Sequence, residues 1–364
     1  MTRSKGRRKP PFCCVAMIWA GMLIARVACA GEAGAFAVVE SYSYSEPVSI
    51  RSGLGDWDGQ FYGGDRQWSH NWVEAGYHFG RWSISALYRR DIWLDTNNDT
   101  AELYYLATNK LPLEPGREYD LALSGYSFSG LGVRAAWISH ASDRLTVSWG
   151  FSVLNADDLL DGQFTGTATA LADNDYEYEA EVDYVYSKDV LFNRPVARPD
   201  GMGASLDVSA SYKPMSGVTL SATVVDLLGA IWWQEAPFTR ATAFSDRRGY
   251  DENGYIIVEP AISGVEGIHK HYTQRLLPRA MLGIQAIVTP AWQAQAEYRY
   301  QYEQGLLGLG ASRSIGTNKI GVLIWPSVRA VGLNVEWGRV GFSLALDDVN
   351  LDDARTLWLG LTVR

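Results

Sequence analysis

Ala291-Trp-Gln-Ala-Gln-Ala-Glu-Tyr-Arg-Tyr-Gln-Tyr-Glu303 alternates without interruption. Trp292, Ala294, Ala296, Tyr298, Tyr300 and Tyr302 occupy one parity, and Gln293, Gln295, Glu297, Arg299, Gln301 and Glu303 the other. Side chains of an extended strand point to its two faces in turn, so one face here is aromatic and apolar and the other polar and charged. No helical period fits the stretch. A strand of a soluble sandwich would read the same way, so the setting has to come from the rest of the chain.

The same dyad recurs. Trp82, Ile84, Ala86 and Tyr88 alternate with Arg81, Ser83, Ser85 and Arg89, and Leu145, Val147, Trp149, Phe151 and Val153 with Thr146, Ser148, Gly150 and Ser152. Ala204, Leu206, Val208, Ala210 and Tyr212 alternate with Ser205, Asp207, Ser209 and Ser211, and Val340, Phe342, Leu344 and Leu346 with Gly341, Ser343, Ala345 and Asp347. The chain closes on Leu357, Leu359, Leu361 and Val363 against Thr356, Trp358, Gly360, Thr362 and Arg364. One face is Leu, Val, Ala and aromatics; the other is Ser, Thr, Gly, Gln and charge. Segments of ~10 residues with this pattern, separated by turns, mark a transmembrane β-barrel. Lipid requires every backbone N–H and C=O to be paired, which a closed barrel achieves and an open sheet does not. Trp82, Tyr88, Tyr212, Trp292, Tyr302 and Trp337 lie toward strand ends, where aromatic girdles are expected.

The remaining features agree with export. Arg3, Lys5, Arg7, Arg8 and Lys9 precede an apolar run from Phe12 to Ile24, and Ala28-Cys29-Ala30 offers a small-x-small cleavage site. Residues 1–30 are therefore expected to be a signal peptide and 31–364 the barrel domain. The apolar core is shorter than the ~20 residues of a spanning helix. Cleavage after Ala30 removes Cys13, Cys14 and Cys29, leaving no disulfide framework and no thiol chemistry. It also removes six Lys and Arg and no acidic residue, moving the formal charge from -9 to -15. That balance disfavours nucleic acid as a partner. Beyond the leader no run of ~18 uncharged apolar residues occurs. The nearest approach, 218–233, is interrupted by Thr219, Ser221, Thr223 and Asp226.

Outer-membrane barrels alternate short turns with longer loops. Tight turns are predicted at Phe79-Gly80-Arg81, Pro214-Met-Ser-Gly217, Thr289-Pro290 and Trp337-Gly338-Arg339, all after even-numbered strands, and long connections at 46–66, 92–117, 188–202 and 228–275. The expected fold is all-β, an antiparallel transmembrane β-barrel of about 14–16 strands. The stretch 156–175 is too long for a tight turn and breaks the scheme.

In this pattern the chain resembles Gram-negative outer-membrane β-barrel proteins over nearly its whole mature length, without a sharp family motif. Such proteins usually end in an aromatic residue read by the assembly machinery; here the end is Leu361-Thr-Val-Arg364. The resemblance implies outer-membrane lipid, lipopolysaccharide and the barrel assembly machinery as partners, and small solutes or a glycan as cargo. Oligomeric state stays open.

Candidate functional residues sit on the polar parity. Glu177, Glu179, Glu181 and Asp183 share a face opposite Tyr176, Tyr178, Ala180, Val182, Tyr184 and Tyr186. Four carboxylates so close repel unless cations or arginines neutralise them, and lining a lumen they would favour cations. Two other readings stay open: pairing with Arg81, Arg89, Arg134 or Arg299 in a filled interior, or a solvated hairpin above the membrane. Gln295, Glu297, Arg299, Arg89 and Asp207 complete the expected pore lining. The loop 53–64 mixes Gly, Asp56, Asp58 and Trp57, a composition open to calcium or sugar but without EF-hand spacing. The connection 228–275 is long enough to fold into the lumen or cap it. Ser139-His140-Ala-Ser142-Asp143 weakly resembles the His-x-Ser-Asn element of lipid A deacylases, with Asp143 in place of Asn. His70, His78, His269 and His271 show no zinc spacing, and no metal or cofactor is expected. The expected role is a porin-like channel or passive transporter for small, cationic or sugar-like solutes. A polysaccharide export or envelope assembly barrel working with periplasmic partners, interfacial lipid hydrolysis and a closed barrel working through its loops remain alternatives.

Overall fold

Every dyad segment quoted above forms a strand in the computed structural model, which describes residues 33–172, 175–245, 248–250, 256–258 and 262–364. The expected signal peptide, with its cysteines, lies outside the described residues. The strands are β1 (Gly34–Ser45), β2 (Arg66–Phe79), β3 (Trp82–Thr96), β4 (Glu118–Ser142), β5 (Leu145–Ala172), β6 (Asp175–Tyr186), β7 (Asp200–Tyr212) and β8 (Val218–Phe244). A short hairpin, β9 (Arg248–Tyr250) with β10 (Ile256–Val258), follows. Then come β11 (Ile262–Arg275), β12 (Arg279–Thr289), β13 (Trp292–Gln301), β14 (Gln304–Ile315), β15 (Asn318–Trp325), β16 (Ala330–Trp337), β17 (Val340–Leu346) and β18 (Thr356–Val363).

The sheet closes where β18 pairs with β1, from Ala37 opposite Val363 to Tyr44 opposite Thr356. Two staves of the wall are made of two strands each. Both β6 and β7 lie between β5 and β8, interrupted by an excursion over 187–199. Both β11 and β12 run along the other side of β8, interrupted at 276–278. Counting these as single staves, fourteen antiparallel staves close the barrel, at the lower end of the expected range. Closure leaves no sheet edge in the lipid-facing belt.

The outer surface of that belt is apolar. Ile84, Leu131, Val133, Phe151, Leu282, Leu307, Leu309, Val322, Ile324 and Val331 are all exposed, on neighbouring staves. A water-soluble protein does not leave such a continuous apolar band uncovered, whereas hydrocarbon matches it. Trp82, Trp149, Tyr212, Trp292 and Trp337 are exposed near one end, and Trp232, Tyr298 and Tyr300 nearer the other. Among the described residues no helix is long and apolar enough to cross a membrane.

Tyr302 departs from its expected girdle position. It and Glu303 form a two-residue hairpin turn with φ of 49° and 60°, the left-handed pair that matches strand twist. The turn rolls the Tyr302 ring inward against Trp68, with centroids 5.6 Å apart.

The four predicted tight turns are present at one end, with further ones at 143–144 and 316–317, all after even-numbered staves. The wall height is very uneven. β15 to β18 have seven or eight residues, whereas β4, β5 and β8 have 25, 28 and 27. A tilted strand needs only ~9–11 residues to cross, so the long strands stand far above the belt.

This changes two expectations. The region 228–275 is mostly wall: β8 continues to Phe244, and β11 returns beside it from Ile262. The stretch 156–175 is largely β5 itself. In both cases bulges hid the strand. Asp158, Asp226 and Glu235 have φ of 57°, 56° and 53°, and an extra bulge residue shifts the alternation by one. Whether the connection over 246–261 folds inward lies outside the described side chains.

The connection 46–65 holds a single helical turn, α1 (Ile50–Gly53), and the connection 97–117 carries helix α2 (Asn98–Asn109), capped by the Asn97 side chain, which accepts from the Thr100 N–H. Its Leu103 packs with Tyr119, Leu121, Ala168 and Ala170 on the overhanging wall.

Candidate functional site: a lumen closed by charge pairs and rings

The inward parity changes character with height. At the tight-turn end lies a polar vestibule of ≈ 450 Å³, bordered by Lys213, Ser221, Gln285, Gln295, Glu297 and Lys319. Small Ser and Thr side chains on β7, β8 and β14 leave this space open.

Above it a strap of charges crosses the barrel. Arg89 on β3 donates to both oxygens of Asp226 on β8 (2.8 and 2.6 Å), with β4, β5 and β7 between the two strands. It also donates to Asp91 (2.6 Å), whose second oxygen is 2.6 Å from His70 Nδ1. Asp226 accepts from the Ser205 hydroxyl as well (2.6 Å), and its own N–H donates to Asp207. Arg134 reaches Asp207 at 3.1 Å and Glu74 at 3.5 Å. Gly150 makes room for it: a Cβ there would collide with the Arg134 guanidinium. On the far side Arg299 pairs with Glu297 and lies over the rings of Tyr42 and Trp358, each 5.0 Å away.

Except for the half-buried Glu297 these groups are buried, and burial of ions is costly unless each is paired. The bidentate Arg89–Asp226 contact supplies the geometry such a pair needs. The strap adds little net stability over an apolar filling but makes one-sided loss expensive.

Toward the loop end the interior becomes apolar. One cluster contains Trp72, Phe128, Leu154, Ile231, Trp233 and Leu276. A second contains Tyr44, Trp68, Tyr302, Leu306, Trp325 and Trp358. Gln274 lies fully buried beside the first; it accepts from Trp233 Nε1 and donates to the carbonyls of Ser127 and Leu160. Two interior cavities bordering the strap measure about 40 and 20 Å³, space for a few waters at most.

Of the residues expected to line a pore, Arg89, Asp207, Arg299, Glu297 and Gln295 point inward. Gln295 and Glu297 border the vestibule, while Arg89, Asp207 and Arg299 are buried in pairs. Glu177, Glu179, Glu181 and Asp183 share the parity of Val185, which belongs to the interior cluster. They nevertheless stand on β6, in the overhang, where Glu177, Glu179 and Glu181 are exposed and Asp183 meets Arg240 at 2.8 Å. They flank the mouth and form no ring in the belt, because β6 belongs to the part of the stave above the excursion. Sequence reading missed Asp226, Arg279, His70 and Asp91. Asp226 was visible as the lone charge in the apolar stretch 218–233, a position lipid would not tolerate without a partner.

The remaining candidates take structural roles. Ser142 Oγ accepts the N–H groups of Arg144 and Leu145, shaping a turn, and the exposed His140 meets Thr146 at 3.1 Å. The loop 53–64 docks on α2: Trp57 meets Tyr104 edge-on and Phe61 stacks on Tyr105, each at 5.0 Å. His269 stacks on Phe238 at 4.2 Å, and His271 lies opposite Gln234. Among the described residues no three acidic, His or Cys side chains converge as metal ligands.

Neither a family model nor a curated protein matches the sequence. Solved structures with a similar course of chain include the toluene transporter TbuX of Ralstonia pickettii, 10% identical, covering 92% of this chain and 90% of that one with a TM-score of 0.33. The monoaromatic hydrocarbon channel CymD is 8% identical over 91% and 87%, with a TM-score of 0.41. The toluene transporter TodX of Pseudomonas putida is 8% identical over 90% and 88%, with a TM-score of 0.34.

Proposed function

We propose that this barrel is a passive outer-membrane transporter for small apolar, aromatic solutes, closed to water and ions at rest. The observation that carries the reading is the filled lumen: a buried charge strap beneath two ring-rich clusters. A water-filled porin keeps a polar channel through the belt, and an apolar interior favours solutes that gain from leaving water. The acidic face that suggested cationic or sugar-like cargo lies above the belt. The tight-turn end would face the periplasm and the overhanging wall the exterior, the usual arrangement of such barrels. Hydrocarbons also appear in the names of the distant structures above; the support here is this chain's own interior.

The test is twofold. Protein folded in detergent and inserted in a planar bilayer is expected to show no steady conductance. Toluene is expected to bind it in equilibrium dialysis beyond partition into empty micelles, and to enter vesicles faster when the protein is present. A steady conductance with cation preference would overturn the reading and restore a water-filled pore.

A further inference from the structure

Beside the strap, two buried hydrogen-bond donors without acceptors border one cavity. The 40 Å³ cavity is bordered by Tyr42, His70, Trp72, Arg279, Arg299 and Gln301. Arg279 is 8% exposed and Gln301 6%. Among the described residues neither Arg279 Nε nor Gln301 Nε2 has a hydrogen-bond partner. Arg279 approaches Asp226 to 3.8 Å, but Asp226 is already occupied by Arg89 and Ser205. A buried donor left unmade is costly, so a protein retains such groups where water or a ligand oxygen completes them.

We infer that this cavity is a polar subsite that receives the hydrogen-bond-accepting oxygen of a small aromatic solute. The inference rests on the transport reading above and adds the solute's chemistry to it. A carbonyl oxygen accepts from both Arg279 Nε and Gln301 Nε2, while the ring it carries lies against the aromatic side chains above. The space suits the oxygen-bearing end alone; the ring displaces side chains of the clusters as it enters. A neutral oxygen fits better than a carboxylate. Of the two guanidinium groups lining the cavity, Arg299 is already paired with Glu297 and Arg279 faces Asp226, and Glu40 adds a carboxylate to the lining, so another anion would meet three carboxylates in a medium where charge is poorly screened. His70 leaves the balance unchanged when neutral, with its Nδ1 committed to Asp91.

The experiment compares toluene, acetophenone and benzoate by equilibrium dialysis against the detergent-folded full chain, each corrected for partition into empty micelles. Acetophenone is expected to bind about 3–10-fold more tightly than toluene, the range a single net hydrogen bond provides, and benzoate more weakly than acetophenone. Gln301→Leu, close in volume, should remove the ketone's advantage and leave toluene unchanged, a pattern that a purely structural role would not produce. Arg279→Met should do the same wherever it folds, judged by heat-modifiable mobility. Equal binding of ketone and toluene to the wild-type chain would mean that water alone completes the donors and would overturn the subsite while sparing the transport reading. Benzoate binding most tightly would overturn the neutral-oxygen assignment. Absence of toluene binding would remove the transport reading and the subsite together.

Discussion

The low and tall sides of the barrel follow different rules although they share one wall. From β13 through β18 the strands just cross the belt, and short connections such as 302–303 join them at the loop end. Those connections turn Tyr302 and Val328 inward, so the low side closes its interior with its own turns. From β4 through β11 the staves run on above the belt, and the interior is closed by side chains on the wall itself, among them Phe128, Leu154, Ile231 and Trp233. The positive-φ bulges at Asp158, Asp226 and Glu235 all lie on this side. A strand that must serve both lipid and water has to re-aim its side chains on the way up, and a bulge does that with one residue. At Asp226 the bulge also delivers the carboxylate that Arg89 needs.

The largest expected effect breaks that joint. Arg89→Met leaves Asp91 and Asp226 buried without their main counter-charge and should cost about 3–5 kcal/mol, read as a shift of the urea unfolding transition in vesicles. The double change Arg89→Met with Asp226→Leu should recover much of the loss. A cost below about 1 kcal/mol for the single change would mean that the strap is hydrated rather than buried.

Next comes a direct contrast between the two sides. Val322→Arg, on the lipid face of β15, should cost about 2–4 kcal/mol, while Ile262→Arg on the overhang of β11 should stay within about 0.5 kcal/mol. Both residues are comparably exposed, at 46% and 49%, so only the solvent distinguishes them. Equal costs would place the overhang in lipid and erase the distinction between the sides.

A smaller, local effect concerns the excursion 187–199. Burial alone would raise the Asp189 carboxyl, but hydrogen bonds from the Phe192 N–H, the Tyr184 hydroxyl and Arg194 prevail and hold it below the usual aspartate range. Its stabilising contribution is therefore complete above the unfolded pKa, about 3.9, and is lost as pH falls through the lower folded value. Hydrogen exchange should show 187–199 opening below about pH 4 while the belt stays protected. In Asp189→Asn that acid step should vanish. The smallest effect is expected from changing Glu177, Glu179 and Glu181 together to Gln: within about 0.5 kcal/mol in stability, as for exposed positions generally, and no conductance created.

Legibility followed the same division. β13, β17 and β18 stood out because an uninterrupted period of two needs no knowledge of neighbours. On the tall side the same reasoning took 228–275 for a loop, since the parity shifts at Asp226 and Glu235 break the period while the backbone stays paired. The carboxylates of β6 were placed on the inward parity with their height left open, because parity carries no information about level. Arg89, Asp207 and Arg299 were recognisable as inward-facing, but their partners were not.

The sequence by itself determined the alternation, and with it a closed antiparallel barrel with an apolar exterior, because lipid permits no other use of ten-residue dyads. It also placed four of the tight turns, at 79–81, 214–217, 289–290 and 337–339, whose backbone demands are local. Only the tertiary structure decided whether the lumen was open. Arg89 and Asp226 are 137 positions apart, and a charge pair across a lumen depends on stave number and stagger, which no single strand encodes. The same reason explains why an inner face rich in Ser, Gln and charge becomes a vestibule at one level and a sealed, ring-lined layer at the next.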